Sequence, residues 1–151
     1  MVTSLTLSST QFLREAEAVI ASADTGCCSL RTLILRVMLL SRCEMGIDFC
    51  DLKSVAEGRE HLLFALGVGH GRSAAASAVI EALDSVLERD KKSHAFIVHI
   101  DIHDDYPPDE IAMMMTLVYD RLEVETNCFL QVARSDQLQR DEVHLYLVTA
   151  I

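Results

Sequence analysis

Tryptophan is missing from this chain, and aromatic residues supply only 5% of its 151 positions. A core must therefore be built from Leu, Ile, Val, Ala and Met. Basic residues are scarce. Thirteen Lys and Arg stand against twenty-three Asp and Glu, giving a formal net charge of −10. Binding to phosphate backbones or anionic bilayers needs clustered Lys and Arg, so nucleic acid and membrane are excluded as main partners. Long apolar runs are absent too. The longest, Leu33–Leu40, is interrupted by Arg36 and is too short to cross a bilayer. The N-terminus carries no apolar segment of signal-peptide type. The five cysteines (Cys27, Cys28, Cys43, Cys50 and Cys128) form no CxxC pair and no even framework. Free thiols in a reducing, cytoplasmic setting follow from that pattern. Nucleophilic chemistry has no foothold either: there is no Gly-x-Ser-x-Gly element and no His-paired cysteine. Cys50 reads as a packing residue, and the Met113–Met115 triplet as core plus a flexible surface methionine.

What is present is globular. Half of the residues are hydrophobic and a quarter charged, and the length suits one domain with a substantial core. Residues 1–9 are rich in Ser and Thr and read as a loose lead-in. Ser9 or Thr10 would cap a helix running to about Ala23 on Phe12, Ala16, Val19 and Ile20. A second helix is expected over Ser29–Cys43, with a broad apolar stripe. Gly46–Asp51 reads as a turn, with Asp51 capping a short helix at about Leu52–Gly58. His61–Val68 has the length and composition of a strand and leads into a glycine-rich turn, Gly67–Gly71. Ser73–Arg89 repeats apolar residues at helical spacing. Ala95–His103 alternates strictly and is a strand with one buried face. Pro108 suits a first helical position, and Asp109 and Glu110 favour the positive end of the helix dipole, so a helix runs to about Leu122. Asn127–Arg134 and Glu142–Ala150 are strands, expected to pair as an antiparallel hairpin across the polar loop Ser135–Asp141. The crossovers before them should be right-handed.

Three groups of residues could carry chemistry. Asp48 and Asp51 offer two carboxylates three residues apart. Such groups can orient a water proton but bind no phosphate, and the same residues serve equally to start a helix. Gly67–Gly71 follows a strand and opens a helix, the setting of a phosphate loop. It lacks the following Lys and the full G-x-G-x-x-G spacing, and a structural corner explains it as well. His99, Asp101 and His103 share one strand face. Strand rise puts the two histidines about 13 Å apart, so one ion would need ligands from elsewhere, such as Asp104 or His144. The alternative is a polar sheet face.

The order of these elements resembles the C-terminal domain of FtsZ, the bacterial relative of tubulin. In that family a long central helix ends in an acidic loop of the type N-x-D-x-A-D. A short helix, a strand and a G-x-G turn opening an alanine-rich helix follow. Gly46-Ile47-Asp48-Phe49-Cys50-Asp51 stands at the loop, with Gly46 replacing its asparagine. Ala65-Leu66-Gly67-Val68-Gly69 stands at the strand and turn, and Arg72 and Ala76 at the helix start. Phe96-Ile97-Val98-His99-Ile100 and Val143–Ala150 resemble the later strands. The likeness covers about Ser29 to Ile151. The helix Thr10–Ala23 has no counterpart, and on this resemblance the chain is expected to lack the upstream GTP-binding domain and the tail that docks membrane anchors.

The resemblance implies an α+β fold, a two-layer α/β sandwich. A mixed four-stranded sheet would carry its helices on one face, preceded by N-terminal helices. Residues 1–45 would form the helical segment and 46–151 the α/β domain, together one compact unit. It also implies a function. In the family the acidic loop enters the nucleotide pocket of the next subunit, where its carboxylates polarise the water attacking the γ-phosphate. With no phosphate-binding loop of its own, this chain would not be an enzyme. Gly46, Asp48 and Asp51 would contact an FtsZ-type protein or another copy of the chain, with Asp48 and Asp51 at most completing a site in trans. No cofactor and no resident metal are expected. The alternative is a small nucleotide- or metal-binding domain using Gly67–Gly71 or His99, Asp101 and His103.

Overall fold

The computed structural model describes residues 2–21, 47–87, 95–121 and 127–150; the helix expected over Ser29–Cys43 lies outside them. The order is β1 (Val2–Ser8), α1 (Ser9–Ala21), α2 (Phe49–Ala56), β2 (His61–His70), α3 (Arg72–Leu87), β3 (Ala95–His103), α4 (Pro108–Arg121), β4 (Asn127–Ser135) and β5 (Glu142–Ala150). The fold is α+β, with a mixed sheet as expected. All four expected strands are there, and their spatial order is β2-β5-β3-β4, with β1 added outside β2. Only β3 and β4 pair in parallel; β1–β2, β2–β5 and β3–β5 are antiparallel.

Two expectations fail here. Residues 2–8 are not a loose lead-in but an edge strand, paired from Val2 opposite Gly67 to Ser8 opposite His61. Their Ser and Thr suggested a loop. Thr and Val, however, favour strands, and the polar residues alternate with Leu5 and Leu7. Ser8 rather than Ser9 or Thr10 caps α1, its hydroxyl accepting from the Gln11 amide at 3.3 Å. The second failure is the hairpin. β5 does not lie beside β4 but between β2 and β3. Its run Val143, Leu145, Tyr146, Leu147, Val148, Thr149, Ala150 is buried on both faces, which only a central position provides.

Each face of the sheet has its own core. On one face α3 and α4 bury Ala75, Val79, Leu83, Val86, Met114 and Val118 against Leu63, Val98, Ile100, Leu145 and Leu147. Arg121 of α4 pairs with Asp84 of α3 across the two helices. The two crossover helices thus share a face, as the sequence suggests. The opposite face is not bare: α1 and α2 pack on it with Phe12, Ala16, Leu52, Val55 and Ala56, against Phe64, Ile97 and Val148. Rows of paired positions cross the whole sheet, one of them reading Leu5, Phe64, Val148, Ile97, Phe129.

Gly67 sets how closely α3 lies on β2. A Cβ at this position would stand 2.8 Å from the Ala78 carbonyl oxygen and 3.2 Å from the Ala82 Cβ. Backbone oxygen cannot rotate away, so helix and strand would have to separate. Gly67→Ala should therefore cost roughly 1–3 kcal/mol, the usual range for overpacking a tight core. Urea unfolding monitored by circular dichroism would measure it, and an unchanged midpoint would show that α3 can shift without loss.

Candidate functional site

The acidic turn is built by a capping box. Asp48 is the N-cap of α2, with φ −109° and ψ 177°. Its Oδ1 accepts from the Asp51 amide at 3.0 Å, and Asp51 Oδ2 accepts from the Asp48 amide at 2.9 Å. Asp48, not Asp51, is thus the cap, and the helix begins at Phe49, three residues earlier than its apolar pattern suggests. Two helix-start amides are satisfied by two carboxylates that also face the positive end of the helix. One oxygen of each carboxylate is used; the other has no hydrogen-bond partner among the described residues. Asp48 lies on the surface and Asp51 is half-buried. Gly46, the third residue expected here, lies outside the described residues.

Beneath the turn sits an anchor that the sequence does not announce. The buried Ile47 amide donates to Gln131 Oε1 of β4 at 2.7 Å. Gln131 is itself buried. Its only sequence signal is one amide in an otherwise apolar run, Phe129-Leu130-Gln131-Val132. The bond fixes the acidic turn to the sheet, so the carboxylates sit on a held base. On α2 itself, the Lys53 ammonium lies 5.1 Å from the centre of the Phe49 ring.

Gly67–Gly71 is not a turn. Gly67, Val68, Gly69 and His70 belong to β2 and pair with Leu145, His144, Val143 and Glu142 of β5. Only Gly71 leaves the strand, with φ +72°. Its amide is occupied, donating to the Asp141 carbonyl at 2.8 Å, and its carbonyl receives the Ala75 amide of α3. Among the described residues, the adjoining cleft of about 220 Å³ is lined by Asp105, Glu110, Asp141 and Arg140, which lies 3.4 Å from Asp105. That described lining is mainly acidic, which does not favour a phosphate group.

The histidines of β3 part company. His99 is fully buried and its Nε2 lies 2.7 Å from Asp101 Oδ1. His103 instead turns to the following loop, where its Nδ1 accepts the Asp105 amide at 3.0 Å. The strand face expected to be solvated is therefore an internal polar layer at His99. The register brings β5 to it: Asp101 stands opposite His144, and His99 opposite Tyr146 and Gln131. The Tyr146 ring meets His99 edge-on at 5.7 Å. His144 Nε2 lies 2.6 Å from Glu142 Oε1, and its Nδ1 lies 3.4 Å from the Tyr146 hydroxyl. No group of three or more His, Cys, Asp or Glu side chains able to hold a metal ion occurs among the described residues. Burial, with help from the Asp101 and Glu142 charges, pushes the Tyr146 phenol up to about 12. Burial alone pushes the Cys128 thiol up to about 11, which leaves it a packing residue.

The Glu142 carboxyl is held below its ordinary value, first by the Gln139 amide, which donates to its Oε2 at 3.0 Å, and then by His144. A depressed folded-state value means that stability is gained above the unfolded carboxyl's titration, about pH 4.3, and lost as pH falls through the folded value. Glu142→Gln should lower stability at neutral pH and flatten its decline into acid. Urea midpoints measured from neutral to acidic pH test this; parallel curves for the two proteins would refute it.

No protein-family model matches the chain. Among solved structures it is similar to an FtsZ dimer from M. jannaschii, at 18% identity and a TM-score of 0.57, over 91% of this chain and 43% of that one. It is similarly close to an FtsZ point mutant from the same organism, at 18% identity and a TM-score of 0.58, over 85% of this chain and 43% of that one. A weaker likeness, at 13% identity and a TM-score of 0.43, is to thiamine monophosphate kinase from Aquifex aeolicus. No helix among the described residues is long and apolar enough to cross a membrane. The chain spans less than half the length of the FtsZ chains it matches, and its fold is FtsZ-like.

Proposed function

We propose that this chain is a non-catalytic interaction module that docks by its acidic turn on the nucleotide-bearing face of an FtsZ-type subunit, and so binds or caps filaments. The observation that carries this reading is the geometry of Asp48 and Asp51. Both carboxylates stand at a helix start, are held by reciprocal backbone bonds and rest on the Ile47–Gln131 anchor. A carboxylate pair so fixed can enter another protein's pocket without the entropy cost of ordering a loose loop. The FtsZ-like fold supports the choice of partner. The module's own contribution to chemistry is limited to these carboxylates, offered in trans to a site whose phosphate-binding groups belong to the partner. Its setting in the cell is then the cytoplasmic regulation of filament assembly in cell division.

Capping and docking use the same residue, and they can be separated. Asn caps a helix as well as Asp does, but carries no charge. Asp48→Asn should leave the thermal midpoint unchanged and abolish the protein's effect on FtsZ sedimentation and GTP hydrolysis. Asp48→Ala should lose that effect and also about 1 kcal/mol of stability. Absence of any effect of the unaltered protein on FtsZ assembly, even in molar excess, would remove the proposal.

A further inference from the structure

The capping box and the Ile47–Gln131 bond hold the acidic turn in different ways. The reciprocal bonds of Asp48 and Asp51 close within the turn, between residues three apart. They fix the carboxylates relative to α2, but not the start of α2 relative to the sheet. That second placement falls to the Ile47 amide, one residue before the cap, which donates at 2.7 Å to a side chain 84 residues away. Both ends of the bond lie inside the protein, Gln131 at 2% exposure and Ile47 at 7%. Water does not replace a bond between buried groups, so loss of one partner leaves the other unsatisfied. Each end is also packed. Ile47 belongs to the core under α1 and α2 with Leu52, Val55 and Phe64. Gln131 stands beside His99 in the parallel register, and its strand neighbours Leu130 and Val132 pack into the core under α3 and α4.

We propose that Gln131 is a positioning residue for docking. Buried in β4, it has no surface to offer a partner, and it acts through the Ile47 amide to set where Asp48 and Asp51 stand on the docking surface. The inference rests on the docking role of the acidic turn. It separates two requirements of that role. The capping box gives the two carboxylates their mutual geometry, and Gln131 gives the pair its place on the molecule. A pair with an intact box on a loose base must be ordered when it docks, and that ordering is lost from the affinity.

Two variants of the full chain and two readouts test this. Gln131→Leu keeps the bulk of the side chain and removes the acceptor, whereas Gln131→Glu keeps an acceptor of the same reach. Amide hydrogen exchange followed by NMR reports on the turn of the free protein, and FtsZ sedimentation reports on docking. In Gln131→Leu the Ile47 amide should exchange about tenfold faster or more, since its buried partner is gone, while the amides of β2 and β5 stay protected. The concentration needed for half of the effect on FtsZ should rise about tenfold. Gln131→Glu should keep both Ile47 protection and docking, and it carries the comparison should the Leu variant lose protection throughout the sheet. Full docking by a variant whose Ile47 amide has become exposed would overturn the proposal. Weakened docking by a variant whose Ile47 amide stays protected would overturn it equally. An unaltered protein without effect on FtsZ, in which Gln131→Leu still exposes the Ile47 amide, would instead remove the docking role and leave the bond a structural one.

Discussion

The insertion of β5 between β2 and β3 is the constraint on which the rest of this molecule depends. Among the described residues it is the strand that pairs with both of them, so the backbone pairing of the sheet runs from β2 to β3 through it. It can occupy that place because every side chain from Val143 onward that meets a core is apolar, or is a polar group with a partner. Thr149, for example, donates to the Ala95 carbonyl at 2.9 Å. Its residues feed both layers alternately: Leu145 and Leu147 enter the core under α3 and α4, while Tyr146 and Val148 enter the one under α1 and α2. Each fully buried Leu or Val contributes about 2 kcal/mol. The last strand in sequence thus closes both cores at once, through pairings of long sequence separation.

From this follows the position of the acidic turn. β4 reaches the sheet only through β3, and its Gln131 is the group that receives the Ile47 amide. The turn is therefore referenced to the edge opposite β1, at the margin of the internal polar layer that His99 and Tyr146 form. The capping box then orients the two carboxylates relative to α2. Helix capping and a docking role do not compete here, because one oxygen of each carboxylate completes the cap. A residue that must be fixed to act on another protein is well served by bonds that its own backbone supplies.

Much of this was legible in the sequence, and the exceptions share a cause. The period of α3, the alternation in β3 and the Pro108 start of α4 are local signals, and they correspond closely to the elements observed. Strand order is not local. The short connection of β5 to β4 argued for a hairpin, with Leu145 and Leu147 opposing His144 and Tyr146, whereas the observed strand is buried on both faces and takes a central place. β1 was missed because Ser and Thr are counted as loop residues when the partner strand is unseen. The cap was assigned to Asp51 because the apolar pattern begins at Leu52, whereas Phe49 already lies in the helix at a half-buried position. The glycines misled in the opposite way. Gly67 is needed for the approach of α3 and Gly71 for a positive φ, and neither reason makes a phosphate loop. Gln131 gave almost no signal, since a single buried amide acquires meaning only from the backbone group that finds it.

The polar layer between β3 and β5 sets one fully buried histidine, His99, beside a half-buried one, His144. Its ion pairs lie along the strands, His99 with Asp101 and His144 with Glu142, two residues apart on the same face. Each pair closes within its own strand, while the buried His99 Nδ1 has no hydrogen-bond partner among the described residues. Tyr146 stands between the pairs, in contact with His99 and His144. With its phenol raised to about 12, it stays neutral at any ordinary pH. Among the described residues these side chains form no group of three or more able to hold a metal ion. The layer is better understood as the polar floor beside which the acidic turn is fastened. Its rigidity, rather than any chemistry of its own, is what it contributes to the candidate site.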